Sequence, residues 1–443
     1  MFKVVALALT LLVASAAARP HPHHHFPKFR DGADGNGTNW AVLVAGSNTY
    51  SNYRHQADVY HAYQILHKNG YPDSNIIVFH YDDIASSSQV SKQICIQPHS
   101  WRRHQPPERR NVYVNVPKDY TGDNVNPTTF LQVLRGIKPT VGSGKTLQSG
   151  PNDNVFINFV DHGATGLIAF PNDYLYANDL LSALSDMKNS KMYAQLVFYL
   201  EACESGSMFT SLPTNAFVFA TTAANPDESS YATYWDDTYQ TYLGDLYSVN
   251  WMENTDIAAN LQSESLQDQF LAVQQLTNLS HVMEYGQLSL DALMIRQFLT
   301  FPNTEIEHHG FGHPAPASKK DSVSSRDVDL ETHRRRLAAA STDDERRQAE
   351  MDLTAQQARR EFITSTIHAV TARVAGVQAK DALVASRFAV NDFDCYKASV
   401  AAYERVCGRF GSFGMQYMYI LANLCESGYT ADQVSAAAQY VCN

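Results

Sequence analysis

The chain has 443 residues, more than one ordinary domain needs, and 44% hydrophobic with 18% charged residues is the composition of a globular protein with a sizeable core. A formal net charge of −11 argues against nucleic acid, which asks for a basic face. The acidity names no partner by itself, because solubility alone accounts for it.

The opening MFKVVALALTLLVASAAARP joins one early lysine to an apolar run and to small residues near Ala16 and Ala18. Residues 1–18 therefore read as a secretory signal peptide, and no other apolar run is long enough to span a bilayer. The expected setting is the secretory route, in a lysosome, an endosome or outside the cell, with no membrane partner. Sequons at Asn36 and Asn278 agree with glycosylation there. Residues 19–38, rich in Pro, His, Gly and Asp, read as an N-terminal pro-segment; its histidines could bind metal, but a mobile leader is the favoured reading.

From Trp40 the pattern changes. WAVLVAG, NIIVFHY, NVFINFV, QLVFYLEA and AFVFATTA are short runs of Val, Ile and Phe with little alternation, as in strands buried on both faces. Helix-like stretches such as QADVYHAYQILHKNG lie between them. The expectation is an α/β fold over residues 39–300, a mainly parallel sheet flanked by helices, with chemistry at the carboxyl ends of strands. Residues 301–345, with Pro, Gly, Ser and mixed charge, read as a linker open to proteolysis. Beyond it, Met351, Ala358, Phe362, Ile363, Ile367, Val370 and Val374 fall near one helical face, so residues 346–443 are expected to be a second, all-α domain. Of the six cysteines, Cys395, Cys407, Cys425 and Cys442 cluster there. An oxidising compartment lets them pair, in any of three connectivities. Cys95 and Cys203 stand apart.

Two strands end in suggestive chemistry: NVFINFVDHGATG runs into Asp161, His162 and Gly163, and QLVFYLEACESG into Glu201 and Cys203. If the strands are neighbours, imidazole and thiol emerge at one sheet edge. A thiol of pKa about 8.5 is mostly protonated in acid, so a nucleophilic Cys203 needs an imidazole to take its proton. The glycine after His162 permits close backbone approach, and its N–H with that of Cys203 could form an oxyanion hole. No Cys-x-x-Cys or His-x-x-x-His spacing surrounds either residue, so neither metal nor cofactor is expected.

These motifs, with AGSNTYSNYRHQADVYHAYQI, VPKDYTGDNVNPTTFL, TTAANPDESSYATYWDD and TYLGDLYSVNWMEN, make residues 39 to about 300 resemble the legumain, or asparaginyl endopeptidase, family of clan CD cysteine proteases. The resemblance implies a caspase-like fold, Cys203 as nucleophile, His162 as base and acid, Gly163 as oxyanion donor and Asn52 as the group orienting the histidine. It implies a pocket for an asparagine side chain from Arg54, His55, Glu201, Ser230 and Asp245. Arg54 would donate to the amide oxygen, and Glu201 and Asp245 would accept from its nitrogen. The C-terminal part resembles the family's prodomain, with implied pairs Cys395–Cys425 and Cys407–Cys442, released at acid pH after the linker is cut. Protein and peptide substrates, the prodomain itself and cystatin-like inhibitors are the implied partners. A peptide ligase of the same family and a silent caspase-like binding module are the alternatives.

The linker offers Asp343 and Asp344 but no nearby asparagine, Asn303 lying well upstream, while RRR at 334–336 would suit a trypsin-like protease. Residues 87–113, a basic stretch carrying Cys95, depart from the family pattern. Thr233 replaces a cysteine of some relatives, and Arg135-Gly136-Ile137 stands where some have an integrin-type motif.

Overall fold

The structure, a computed structural model, describes residues 37–85, 87, 96–99, 108–306 and 321–443. The expected signal peptide, the pro-segment to Asn36 and Cys95 lie outside these residues. Among the strands are β1 (Asn39–Ala45), β2 (Ile76–Phe79), β3 (Asn154–Val160), β4 (Gln195–Glu201), β5 (Val218–Thr222), β6 (Tyr231–Asp236), β7 (Thr241–Asp245), β8 (Met283–Gly286) and β9 (Val323–Ser324). The five apolar runs become β1 to β5 and build one six-stranded sheet in the order β8-β5-β4-β3-β1-β2. Its pairs are parallel except for β8.

The lack of alternation has the expected cause, since both faces are covered. On one face Val155, Ile157, Phe159, Leu196, Phe198 and Leu200 share a core with Phe130, Leu180, Leu184 and Met187. On the other, Phe156 and Tyr199 meet Trp251 edge-to-face, with centroids 6.0 and 5.4 Å away. Trp251 belongs to helix α2 (Leu246–Asp256), and α1 (Tyr53–Lys68) precedes it in the chain. In the divergent 87–113 stretch, Ile96–His99 and Glu108–Asn111 pair as an antiparallel hairpin.

The C-terminal part is helical, as expected: α3 (Val328–Ala339), α4 (Asp343–Ala375), α5 (Val377–Ala385), α6 (Phe393–Cys407), α7 (Met418–Glu426) and α8 (Ala431–Cys442). Disulfides join Cys395 to Cys425 and Cys407 to Cys442, the pairing the resemblance implied. Two expectations need correction. The described end of the linker is ordered chain, with β9 and α3 lying between 321 and 345. And Met351, Ala358 and Phe362 are exposed; the buried residues of α4 are Ala349, Ile363, Thr366, Ile367, Val370 and Thr371. A 33-residue helix is about 50 Å long, and only its C-terminal turns meet the bundle.

Two predictions arise here. The disulfide loops span 30 and 35 residues, so each bridge is worth about 3–4 kcal/mol in the chain-entropy model. Cys407→Ser with Cys442→Ser should lower bundle stability by that amount in urea titration of the whole chain. The second concerns Glu253 of α2, which accepts a hydrogen bond from Tyr234 and which burial raises to about 7 from 4.5. A raised folded-state pKa gives stability that is complete below about 4.5 and lost as pH rises through about 7. Between pH 5 and 8 the melting temperature should fall by several degrees more in the wild type than in Glu253→Gln.

Candidate active site

Strands β3 and β4 pair in register from Asn154↔Gln195 to Val160↔Glu201, and the Asp161 N–H donates to the Glu201 carbonyl at 3.0 Å. His162 and Cys203 each stand two residues past the last pair, so the two strands deliver them side by side at one edge. A Cβ on Gly163 would lie 2.3 Å from the Cys203 carbonyl oxygen and 3.1 Å from the Ala202 Cβ. The His-Gly turn thus rests directly on the backbone of the cysteine, which only glycine allows. After Cys203 the chain turns sharply through Glu204, at φ 53, into the 3-10 turn Ser205–Met208. A non-glycine residue there is strained, a feature of functional turns.

The histidine tautomer follows from the hydrogen bonds. Asn52 Nδ2 donates to the Asn48 carbonyl at 2.9 Å, which leaves Asn52 Oδ1 facing His162 Nε2 at 2.8 Å. Nε2 therefore carries the proton. Nδ1 is buried with no hydrogen-bond partner. Burial first, then the charges of Arg54 and Arg326, push the imidazole well below its usual range. Cys203 is the free cysteine among the described residues. Its sulfur receives the Ser230 N–H at 3.4 Å and meets the hydroxyls of Ser229 and Ser230 at 3.3 and 3.6 Å.

A second polar group lies beside the pair. Thirteen of the sixteen residues of α1 are buried, Arg54, His55 and Asp58 among them. Arg54 Nε donates to Asp245 Oδ1 at 2.8 Å and Nη1 to the Ser51 carbonyl at 3.2 Å, while Nη2 has no partner. Asp245 ends β7 at the N-cap of α2, yet its carboxylate turns to Arg54 instead of capping the helix. Glu201 Oε2 accepts from the N–H and hydroxyl of Ser248, at 2.9 and 3.0 Å, in the first turn of α2. Glu201 Oε1 and Asp245 Oδ2 have no hydrogen-bond partner.

Burial, ahead of repulsion from Asp245, raises both Asp58 and Glu201; burial also raises Asp245 against the pull of Arg54. His55 donates or accepts at Ser47 Oγ, 2.7 Å away, and burial and Arg54 push it well below its usual range. His55, Asp161 and His162 bring possible ligand atoms within 4.8 Å of one another. The neighbouring guanidinium that lowers both histidines makes this a poor seat for a further cation.

The structure thus gathers Asn52, Arg54, His55, His162, Gly163, Glu201, Cys203, Ser230 and Asp245 at one place. Sequence reasoning passed over Asp58, one turn from Arg54 on the same helix, whose carboxylate accepts the Asp245 N–H at 3.0 Å. The signal was present: an otherwise buried helix carries Arg, His and Asp together. It also passed over the cover. β9 pairs antiparallel with β6, Ser324 opposite Tyr231 and Val323 opposite Ala232, and the Ser325 N–H donates to the Ser230 carbonyl at 2.9 Å. Thr233, on the same strand, accepts from the Ser322 hydroxyl.

Arg326 then bridges both parts of the chain. It donates to the Gly163 carbonyl, to Glu204 Oε1 at 3.3 Å and to the Ser412 carbonyl at 3.0 Å. The bundle packs on Ala164, Leu167, Ala169 and Tyr176, just past the histidine. Tyr396 donates to the Thr165 carbonyl, and Lys397 pairs with Asp179 at 2.8 Å. Cys203 is fully buried as a result, and His162 is 7% exposed.

The peptidase C13 family profile matches residues 39–309 and the legumain prodomain profile residues 351–442. The chain belongs to the legumain family. It is 42% identical to legumain of Mus musculus across 93% of this chain and 94% of that one, and 40% identical to legumain of Homo sapiens over the same shares. A vacuolar-processing enzyme of Vicia sativa is 38% identical, across 92% and 86% of the two chains. A caspase-1 of Spodoptera frugiperda aligns loosely, with a TM-score of 0.32 and 9% identity over 57% and 87% of the respective chains. The protein is a legumain-like cysteine endopeptidase made with its prodomain attached.

Arg326 yields a prediction. Its side chain and that of Glu204 are 5% and 7% exposed, so Arg326→Ala leaves a carboxylate buried without its partner, a loss of about 3–5 kcal/mol. Alkylation of Cys203 by iodoacetamide at pH 7 should become at least about tenfold faster than in the wild type.

Proposed function

We propose that the enzyme cleaves peptide bonds after asparagine, with Cys203 as nucleophile, His162 as base and then acid, and Arg54, Glu201 and Asp245 as the reading pocket. One observation carries this reading: in the group around Arg54, the buried atoms without hydrogen-bond partners include a donor, Arg54 Nη2, and two acceptors, Glu201 Oε1 and Asp245 Oδ2. A carboxamide offers one acceptor and two donors, the complement of that set. Unpaired buried polar groups are costly, so a ligand that satisfies all three is selected strongly.

In this reading His162 Nδ1 takes the thiol proton as sulfur attacks the carbonyl carbon. Asn52 keeps the other nitrogen protonated and the ring in place. The oxyanion is received by the N–H groups of Gly163 and Cys203. His162 returns the proton to the leaving amine, and water then hydrolyses the thioester. Aspartate fits only when neutral, because an ionised side chain would face Glu201 and Asp245. The acid range that favours it also suits an endosomal or lysosomal setting. Asp343 and Asp344 open the exposed first turn of α4 and are the proposed self-processing sites. Asn278 is exposed and open to glycosylation; Asn36 lies outside the described residues.

The test is acid activation followed by a fluorogenic Ala-Ala-Asn substrate. Turnover should vanish in Cys203→Ala. Leucine in place of asparagine should reduce kcat/KM by about 10³ or more. Cleavage after aspartate should appear only as pH falls toward the carboxyl range near 4. Equal cleavage after Asp and Asn at pH 7 would contradict the pocket.

A further inference from the structure

Asp245 stands at the N-cap of α2, where an aspartate ordinarily accepts from the free N–H groups of the first helical turn. Its side chain makes no such bond. Glu201, arriving from β4, takes the Ser248 N–H in its place, and the Asp245 carboxylate faces Arg54. Asp58 of α1 touches residue 245 at two points. Its Oδ2 accepts the Asp245 N–H at 3.0 Å, and its carboxyl group is also in hydrogen-bonding contact with the Asp245 carboxylate. Two carboxyl groups in such contact do not both ionise; a proton sits between them.

The surroundings decide which of the two carries it. Asp58, Glu201 and Asp245 gather around the guanidinium of Arg54, all at most 1% exposed. His55, beside Arg54, is held neutral, and His61, one turn beyond Asp58, lies 3.0 Å from Asp256 of α2. Asp161, past the end of β3, and Asp245 repel one another. Asp245 is supported as an anion by Arg54 Nε at 2.8 Å, and Glu201 by the N–H and hydroxyl of Ser248 at the start of α2. What residue 245 gives Asp58 is a backbone N–H, together with the repulsion of its carboxylate.

We propose that Asp58 is a positioning residue of the asparagine pocket: it keeps its proton, donates it to the Asp245 carboxylate, and so clamps Asp245 toward Arg54 and away from the helix it would otherwise cap. The proposal rests on the pocket reading given above. A carboxylate has about four lone-pair sites, so bonds from Arg54 and Asp58 leave Asp245 able to accept from a substrate amide. The neutral Asp58 also limits the pocket to two anions around one cation, where a third anion would strengthen the repulsion between its walls.

The proton has a spectroscopic signature. In the full-length Cys203→Ala chain, where self-processing cannot intervene, the infrared spectrum at pH 6 should contain a protonated-carboxyl stretch that Asp58→Asn removes. The same band intensity with and without Asp58→Asn would show an ionised Asp58 and overturn the proposal. In acid-activated enzyme at pH 5, Asp58→Val should raise KM for the Ala-Ala-Asn substrate by about tenfold or more, with kcat within about threefold of the wild type. Asp58→Asn keeps an N–H donor for the Asp245 carboxylate and an oxygen for the Asp245 N–H, and should recover most of that loss. Equal KM in the Asn and Val variants would overturn the clamp. Should Asp58→Val fail to fold, a KM for Asp58→Asn more than about tenfold above the wild type would overturn it instead.

The wild type separates this inference from the pocket reading. If it cuts after asparagine while the infrared band survives Asp58→Asn, the role given to Asp58 is wrong and the pocket reading stands. If the activated wild type does not cut after asparagine, the pocket reading is wrong and the role of Asp58 falls with it.

Discussion

The structure depends on seven consecutive residue pairs between two parallel strands. Because β3 and β4 stay in register up to Val160↔Glu201, a histidine and a cysteine 41 positions apart in sequence leave the sheet as neighbours. A slip of one residue would turn one of the two side chains toward the opposite face. The buried apolar side chains of both strands hold the register, and Gly163 lets the two turns beyond it touch. The core is what makes the chemistry possible, by position and not by contact with substrate.

The second constraint is electrostatic. Arg54, Asp58, Glu201 and Asp245 are all at most 1% exposed, a costly concentration of charge that survives because each is held by another. Asp245 holds Arg54, Asp58 holds the Asp245 N–H, and the start of α2 holds Glu201. Arg54 Nη2, Glu201 Oε1 and Asp245 Oδ2 stay without hydrogen-bond partners, and they are the atoms of the proposed pocket. The same burial that keeps the site shut keeps both His55 and His162 neutral, so acid, which favours protonated imidazole, works against the closed state.

Much of this was legible in sequence. Unalternating Val, Ile and Phe runs announce buried strands, and both turns with chemistry follow such runs directly. Asn52, Arg54 and Asp245 were readable only through resemblance, since bare composition fits a turn asparagine and a surface ion pair equally well. The long helix misled because periodicity reports a face and not what covers it: Phe362 and Ile363 fit the same stripe, and only Ile363 meets the bundle. The linker misled for a related reason. Ser322 to Arg326 read as loop, yet strand β6 offers an open edge, and an edge organises whatever extended chain reaches it.

The two disulfides both lie within residues 395–442, so none ties the helical bundle to the sheet domain. Severing the backbone between them would leave two independently shaped bodies that still match along Ala164, Leu167 and Tyr176. Their separation then becomes a matter of mass action. At high concentration the fragments would reunite, and on dilution they would drift apart, so the quantity of enzyme present would itself help set how much of it is awake.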